Sequence, residues 1–196
     1  KLDALRKAGI TPYPYHFEHK DHATDLLKKF EYLGNHEETQ HEVSLAGRLM
    51  THRLMGKAGF AHLQDQTGRI QIYAREDVLG EKAYNHFATT DLGDIVGVKG
   101  TIFRTKMGEI TIKAKKFELL AKCLRPLPEK WHGLKDMEQR YRYRHLDLIS
   151  NPEVKQIFFK RSKILNTVRS VLDRQGFLEV DTPVLQPLYG GANARP

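Results

Sequence analysis

Five short stretches of alternating apolar and polar residues constrain the fold of this chain more than any other feature. They cover residues 43–50, 59–63, 69–73, 95–103 and a fifth stretch that begins at Ile110. Successive side chains of a β-strand point to opposite faces, so this period of two predicts strands with one buried face. Residues 76–88 break the alternation and predict a short helix between the third and fourth strands.

Five strands with a helix between the third and the fourth is the element order of the OB barrel, a fold that binds oligonucleotides. Gly47, Gly97 and Gly100 fall inside the strand patterns, where glycine permits the sharp coiling that a small barrel needs. We therefore predict a mainly β fold with flanking helices, centred on a five-stranded OB barrel.

The pattern changes after the barrel. Residues 124–136 contain two prolines and a glycine and are typical of a linker, and a long amphipathic helix is predicted from Asn151-Pro152 to Gly176. Residues 177–180 predict a short strand that leads to Pro183. The predicted organisation is a helical segment (1–40), a barrel (41–123), a linker (124–140) and the start of a further domain (141–196).

The charge of the chain favours an anionic partner. The formal net charge is +8 and the pI is about 9.5, which raises the expectation of nucleic acid without establishing it. No apolar stretch reaches the roughly 18 residues needed to span a bilayer, so no membrane partner is expected. Cys123 is the single cysteine, which excludes an internal disulfide and favours a reducing, cytoplasmic setting.

Four residues of the predicted barrel are candidates for contact with a single-stranded nucleic acid. Phe60 lies in the middle of the second strand, where an outward-facing ring could stack on a base. Gln71 offers both a donor and an acceptor to a base edge, Glu109 offers acceptors, and Arg53 could contact phosphate or stack. The residues alone leave open the alternative that Phe60 belongs to the core and that the other three are solvated surface.

No metal site and no acid–base pair is predicted. His16, His19 and His22 are spaced by three, but no carboxylate or cysteine pattern completes a zinc site around them. Asp65 and Asp94 lie near strand ends and are interpreted as turn residues.

Two segments of the barrel resemble a known family. MGKAGFAHLQDQTGRIQIY (55–73) and DLGDIVGVKGTIFRTKMGEITI (91–112) are similar to the anticodon-binding domain of bacterial-type lysyl-tRNA synthetases. The resemblance implies that Phe60 stacks on the central anticodon uridine, that Gln71 and Glu109 read uridine edges, and that Arg53 assists.

The segment LRPLPEKWHGLKDMEQRYRYRHLDLI (124–149) resembles the connection between the barrel and the catalytic domain in the same family. Aspartyl and asparaginyl relatives share an RYRYLDL-like piece but differ at WHGLKD, and His145 stands where the family usually has tyrosine. The basic run of Arg140, Arg142 and Arg144 could contact the tRNA backbone, or it could form ion pairs that hold the barrel to the next domain.

The remaining resemblances concern the start of a class II α+β catalytic domain. The long helix and GFLEVDTP (176–183) are similar to motif 1, which builds the dimer interface, with Gly176, Phe177 and Pro183 as its matching residues. LYGGANARP (188–196) is similar to the loop at the edge of the lysine pocket, where backbone groups of Gly190, Gly191 and Ala192 could meet the amino acid. An ordinary glycine turn remains the alternative for this last segment.

The resemblance implies an ATP-dependent enzyme that activates lysine and transfers it to tRNA(Lys) as a homodimer. ATP and Mg²⁺ are implied for the full-length enzyme only, because the two later motifs that bind ATP do not occur in these residues. We expect these residues alone to bind no cofactor, to contain no catalytic residue and to form no aminoacyl-adenylate. The alternatives are a non-catalytic RNA-binding OB module, which would be either a natural truncation or an expressed fragment, and an aspartyl-type class II synthetase.

Overall fold

The computed structural model describes residues 1–128 and 134–185. The chain divides into two compact units, residues 1–127 and residues 128–196, and each is described by itself. The four-part organisation predicted above stays a prediction. Within the described residues, no helix combines the length and the apolar character needed to cross a membrane.

The first unit is built on a closed five-stranded barrel. Its strands are β1 (Glu38–Met55), β2 (Ala58–Gln64), β3 (Arg69–Arg75), β4 (Ile95–Arg104) and β5 (Ile110–Ala121). Around the barrel they follow the order β1-β2-β3-β5-β4. The β3–β5 pair is parallel and the other pairs are antiparallel. The OB barrel predicted from the alternation is thus confirmed.

Strand β1 closes the barrel because it pairs with two neighbours in turn. Its first part pairs with β4 and its second part with β2, and both pairings include Arg48. The register shifts between Leu49 and Thr51, which marks a β-bulge. A bulge bends the strand and changes the face to which the following side chains point. Leu49 and Met50 are both buried, and after them Thr51 and Arg53 occupy the outer face.

The core is the inner face of the barrel. Leu45, Leu63, Ile72, Val98 and Ile112 come from the five different strands, and each is 0% exposed. The period of two explains their burial, because successive side chains of a strand point in turn to the inside and to the outside of the barrel.

Four helices accompany the barrel: α1 (Leu2–Lys7), α2 (Ala23–Lys29), α3 (Glu76–Leu79) and α4 (Glu81–Thr89). The helix predicted over 76–88 is interrupted at Gly80, whose φ of 80° lies in the left-handed region. Asp65 connects the β2–β3 turn to α2, because it accepts from the backbone N–H groups of Thr67, Gly68 and Ala23. Burial raises the pKa of Asp65, but these hydrogen bonds outweigh it and hold the pKa below its ordinary value. The turn interpretation of Asp65 is confirmed.

The second unit consists of α5 (Met137–Arg142), α6 (Arg144–Ser150) and the long α7 (Pro152–Arg174). Asp147 is fully buried between these helices. Its carboxylate accepts hydrogen bonds from Arg140 at 2.8 Å, Arg144 at 2.5 Å and Asn151 at 2.7 Å. A single carboxylate thus links α5, α6 and the residue that precedes α7.

The short strand predicted over residues 177–180 is wrong. These residues are irregular, and they pair with no strand in the described part of the chain. An apolar run adopts strand structure only where a neighbouring strand satisfies its backbone hydrogen bonds.

The Asp147 cluster should make the second unit sensitive to acid. Burial raises the pKa of Asp147, but hydrogen bonds from Asn151 and Arg140 outweigh it, so the pKa lies below the ordinary 3.8. A lowered folded-state pKa stabilises the fold above the unfolded-state pKa, and this stabilisation is lost as the pH falls through the folded-state value. We expect the melting temperature to fall less steeply below about pH 4 in Asp147→Asn than in the wild type.

A matched control is available for this measurement. Glu138 is an exposed carboxylate paired with Arg142 at 2.8 Å on the same unit. Glu138→Gln should leave the acid slope unchanged, since exposed pairs contribute little. Equal slopes for Asp147→Asn and the wild type would show that Asp147 does not link protonation to folding.

Candidate nucleic-acid interface

The outer face of β2 and β3 carries the predicted stacking residue. Phe60 is partly exposed, whereas its neighbours Gly59 and Ala61 are buried inside the barrel. Gln71 and Tyr73 alternate in the same way with buried residues on β3 and share the outer face. Phe60 is therefore not part of the core, and its ring lies on the outside of the sheet.

Phe60 belongs to a group of three aromatic rings. It stacks on Tyr73 with ring centroids 4.5 Å apart and an interplanar angle of 25°. Tyr73 in turn lies 5.8 Å from the ring of Phe103 on β4. Neither Tyr73 nor Phe103 was a predicted site residue. Together the three rings form an aromatic platform on the outer surface, of the kind on which unpaired bases stack.

Arg53 lies directly across from Phe60. The two residues are partners in the β1–β2 register, and Arg53 is exposed. The guanidinium of an arginine at this position can reach a phosphate beside a stacked base, or can stack itself. The structure thus places Arg53 next to the aromatic platform.

Gln71 and Glu109 are in contact although 38 positions separate them in the sequence. The side-chain amide of Gln71 donates to Glu109 Oε2 at 2.6 Å, and Thr111 Oγ1 donates to Gln71 Oε1 at 2.8 Å. A carboxylate can only accept, so it selects the nitrogen side of the Gln71 amide. Glu109 thereby defines which end of the amide is the donor, whereas the Thr111 hydroxyl, which can donate or accept, can serve either orientation.

A histidine that was not predicted joins this polar group. His62 Nε2 lies 2.8 Å from Glu109 Oε1, and His62 Nδ1 lies 2.7 Å from Thr51 Oγ1. The resulting network runs from Thr51 on β1 through His62, Glu109 and Gln71 to Thr111 on β5. It lies along the aromatic platform, because His62 and Gln71 are each two residues from a platform ring on their strand.

The residues that were missed differ in how visible they are in the sequence. Tyr73 and His62 could have been found, since the period of two places them on the same face as Gln71 and Phe60. Phe103 and Thr111 reach the site only through the parallel β3–β5 pairing and the barrel closure. The described residues contain no group of three or more histidine, cysteine or carboxylate side chains that could hold a metal ion.

The basic run after the barrel forms ion pairs within its own unit. Arg140 and Arg144 bind the buried Asp147, and Arg142 pairs with Glu138. The predicted alternatives were tRNA contact and ion pairs to the barrel. The observed pairs give Arg140 and Arg144 a role in holding α5 and α6 together.

The residues predicted to belong to motif 1 are exposed in the second unit. Gly176 follows α7 with a φ of 86°, Phe177 is 62% exposed, and Pro183 is exposed. The apolar face predicted for α7 is open as well, with Ile157 and Ile164 each 63% exposed. The predicted pocket residues Gly190, Gly191 and Ala192 lie outside the described residues.

Two family models match the chain in the order that the fold presents. The OB-fold nucleic acid binding domain matches residues 43–120, which contain all four predicted RNA-contact residues. The class II tRNA synthetase domain of the D, K and N group matches residues 136–196.

Curated relatives match over the whole chain. It is 54% identical to the lysine–tRNA ligase of Oceanobacillus iheyensis over 100% of the chain and 40% of that protein. It is 54% identical to the lysine–tRNA ligase of Carboxydothermus hydrogenoformans, over 100% of the chain and 39% of that protein. It is 51% identical to the lysine–tRNA ligase of Bacillus subtilis, over 100% of the chain and 40% of that protein. The chain therefore spans about two-fifths of the length of these relatives. Over its full length the chain is thus similar to lysine–tRNA ligases, with a match to an OB-fold nucleic acid binding domain followed by a match to a class II tRNA synthetase domain.

Proposed function

We propose that this chain supplies the anticodon-reading part of an enzyme that attaches lysine to tRNA(Lys). The observation that carries the proposal is the outward-facing Phe60–Tyr73 stack, which lies beside the hydrogen-bonded Gln71 and Glu109. The similarity to lysine–tRNA ligases supports the choice of amino acid over the aspartyl alternative.

The aromatic platform supplies affinity. A base that stacks on Phe60 buries one face of the base and one face of the phenyl ring, and such contacts contribute about 1–3 kcal/mol per base. Tyr73 supports Phe60 from behind by its own stacking, so the ring is held in place before RNA arrives. Bases of a duplex are already stacked on each other, so the platform suits the unpaired bases of a loop.

The polar network supplies the preference for one base. After its bonds to Glu109 and Thr111, the amide of Gln71 retains one N–H donor and one acceptor lone pair. Uracil presents an imino donor between two carbonyl acceptors, which such an amide can match. We propose that Gln71 and Glu109 read uridine edges in this way and that Arg53 contacts the neighbouring backbone.

The charge of the chain supports an RNA partner more generally. The net charge of +8 favours association with a polyanion. Contacts to phosphate release counterions, so binding should weaken as the salt concentration rises.

We further propose that the exposed apolar face of α7, with Phe177 and Pro183, forms part of a homodimer interface. A face with large exposed side chains such as Ile157 and Ile164 is unusual on a free surface and suits burial against a partner. Lysine, ATP and Mg²⁺ are substrates and cofactors proposed for the whole enzyme. We propose no catalytic role for the residues that the structure describes.

Replacing Phe60 with alanine tests the proposal. The variant loses the stacking surface but not a core side chain, so affinity for an anticodon stem–loop RNA should fall by roughly 5- to 150-fold while the fold remains intact. Fluorescence anisotropy with a labelled hairpin that carries a uridine-rich anticodon loop measures this, and circular dichroism checks the fold.

Tyr15 offers a matched aromatic control. It is fully exposed at 106% on the connector between α1 and α2. Tyr15→Ala should leave the affinity unchanged, and Phe60→Tyr should retain most of it. Unchanged affinity in a folded Phe60→Ala protein would count decisively against an RNA-binding role for this face.

A further inference from the structure

His62 contacts Glu109 through its side chain, with Nε2 2.8 Å from Glu109 Oε1. It lies on the outer face of β2, two residues after Phe60, and its side chain is 32% exposed. Thr51 holds the ring from one side, because Thr51 Oγ1 lies 2.7 Å from Nδ1 and also accepts the backbone N–H of His62 at 3.1 Å. The ring therefore has a fixed orientation that presents Nε2 to Glu109.

The contact with His62 restricts the side chain of Glu109. This residue directly precedes β5, in the turn closed by bonds between Thr105 and Glu109, and its side chain is 45% exposed. A glutamate that exposed has several rotamers available in water. Here each carboxylate oxygen has one neighbour, His62 Nε2 at 2.8 Å and Gln71 Nε2 at 2.6 Å. The carboxylate is thus held as a bridge between β2 and β3.

We infer that His62 is a positioning residue for base recognition. It holds the Glu109 carboxylate against Gln71, and that carboxylate in turn determines which end of the Gln71 amide is the donor. The inference rests on the proposed reading of uridine by Gln71 and Glu109. The inference adds His62 on β2 to the base-recognition site, where it acts on the base only through Glu109 and Gln71.

The role has a specific consequence for discrimination. Uracil and cytosine stack similarly, but they interchange donor and acceptor at positions 3 and 4 of the ring. An amide that can rotate by half a turn serves either base, whereas an amide with a fixed orientation favours one. Without His62, Glu109 is free to turn to solvent and Gln71 is free to rotate, so selectivity should be lost while stacking on Phe60 remains.

The test compares His62→Leu and His62→Gln in the whole chain. The RNA probes are a hairpin with uridine at every anticodon position and the three hairpins in which one uridine is replaced by cytidine. In His62→Leu, the preference for uridine at the most discriminated position should fall by about 5- to 10-fold, as for the loss of one hydrogen bond. His62→Gln should restore most of the preference, because its side-chain amide can donate to Glu109 from nearly the same place.

Thr51→Val provides a second route to the same result. It removes the hydroxyl that orients the His62 ring and should reduce the uridine preference in the same direction, even if His62→Leu folds poorly. A merely structural role would weaken all four hairpins equally and would not be rescued by glutamine, and that outcome would overturn the inference. Retained selectivity in His62→Leu would do the same.

Failure of this inference is separable from failure of the proposed function. If Phe60→Ala weakens binding but the His62 variants keep their selectivity, the RNA-binding face stands and the role of His62 is wrong. If Phe60→Ala has no effect either, the proposed function itself fails.

Discussion

Replacing Phe87 with alanine should destabilise the barrel by about 3–5 kcal/mol, the range measured for large aromatic truncations in cores. Phe87 is a fully buried side chain of α4 that packs against the barrel. Its ring lies 4.6 Å from His52 on β1 and 5.3 Å from Phe117 on β5, both edge to face. A ring that contacts several strands at once cannot be removed without a cavity that none of them can fill.

The same ring lies under the proposed RNA-binding face. A Cβ atom added at Gly59 would come within 2.8 Å of the Phe87 ring, so the backbone of β2 packs directly on it. Gly59 precedes Phe60 in the chain, and Phe87 therefore supports the strand that carries the aromatic platform. We expect Phe87→Ala to weaken RNA binding as well, even at temperatures at which the protein remains folded.

Hydrogen exchange measured on barrel peptides is the suitable readout, because it separates the first unit from the second. Barrel amides that exchange only by global unfolding should lose protection by about 150-fold or more. Val78→Ala on α3 is the control: Val78 is 38% exposed, and its truncation should cost less than about 0.5 kcal/mol. Wild-type protection in Phe87→Ala would mean that α4 does not stabilise the barrel.

Much of the fold could be predicted because the barrel obeys a simple period. The five alternating stretches located all five strands, and the break after Arg75 located the intervening helices. The outer position of Phe60 follows from the same period once the core face is known. Local patterns of this kind survive in the folded state because one face of each strand is buried.

The polar part of the site could not be predicted in the same way. Gln71 and Glu109 meet because β3 pairs in parallel with β5, a pairing between distant segments that no local pattern announces. The link through His62 depends on the exact register of β2 against both neighbours. Sequence reasoning therefore identified the chemical groups but not the network that joins them.

Asp94 is a second residue whose long-range contacts could not be predicted from the sequence, and here these contacts concern stability. Its position before β4 suggested an ordinary turn residue, and it does accept the backbone N–H of Asp91 at 3.0 Å. The structure adds a buried ion pair: Lys122 Nζ lies 2.7 Å from Asp94 Oδ1, with side chains that are 4% and 1% exposed. Asp91 also binds Lys122, at 2.7 Å. Burial opposes the charge on Lys122, but these partners outweigh it and raise its pKa above the ordinary 10.5.

Replacing Lys122 with methionine should therefore destabilise the first unit by about 3–5 kcal/mol, because it leaves the Asp94 carboxylate buried without a cation. Methionine retains much of the length and apolar volume of the lysine stem, so the loss reports charge more than packing. Urea unfolding, with the first unit followed by exchange of its barrel amides, measures the effect.

Lys1→Met is the surface control. Lys1 pairs with Asp91 at 2.6 Å, but its side chain is 73% exposed. An exposed pair of this kind contributes about 0–1 kcal/mol, so Lys1→Met should be nearly neutral. A large loss in both variants would place the stabilising charge on Asp91 rather than on the buried Asp94.

One further measurement separates a stranded charge from a simple loss of packing. Adding Asp94→Asn to Lys122→Met should recover part of the stability, since asparagine keeps an acceptor for the Cys123 N–H that Asp94 binds at 2.7 Å but carries no charge. If this second substitution recovers nothing, Lys122 stabilises the first unit through packing rather than through its charge.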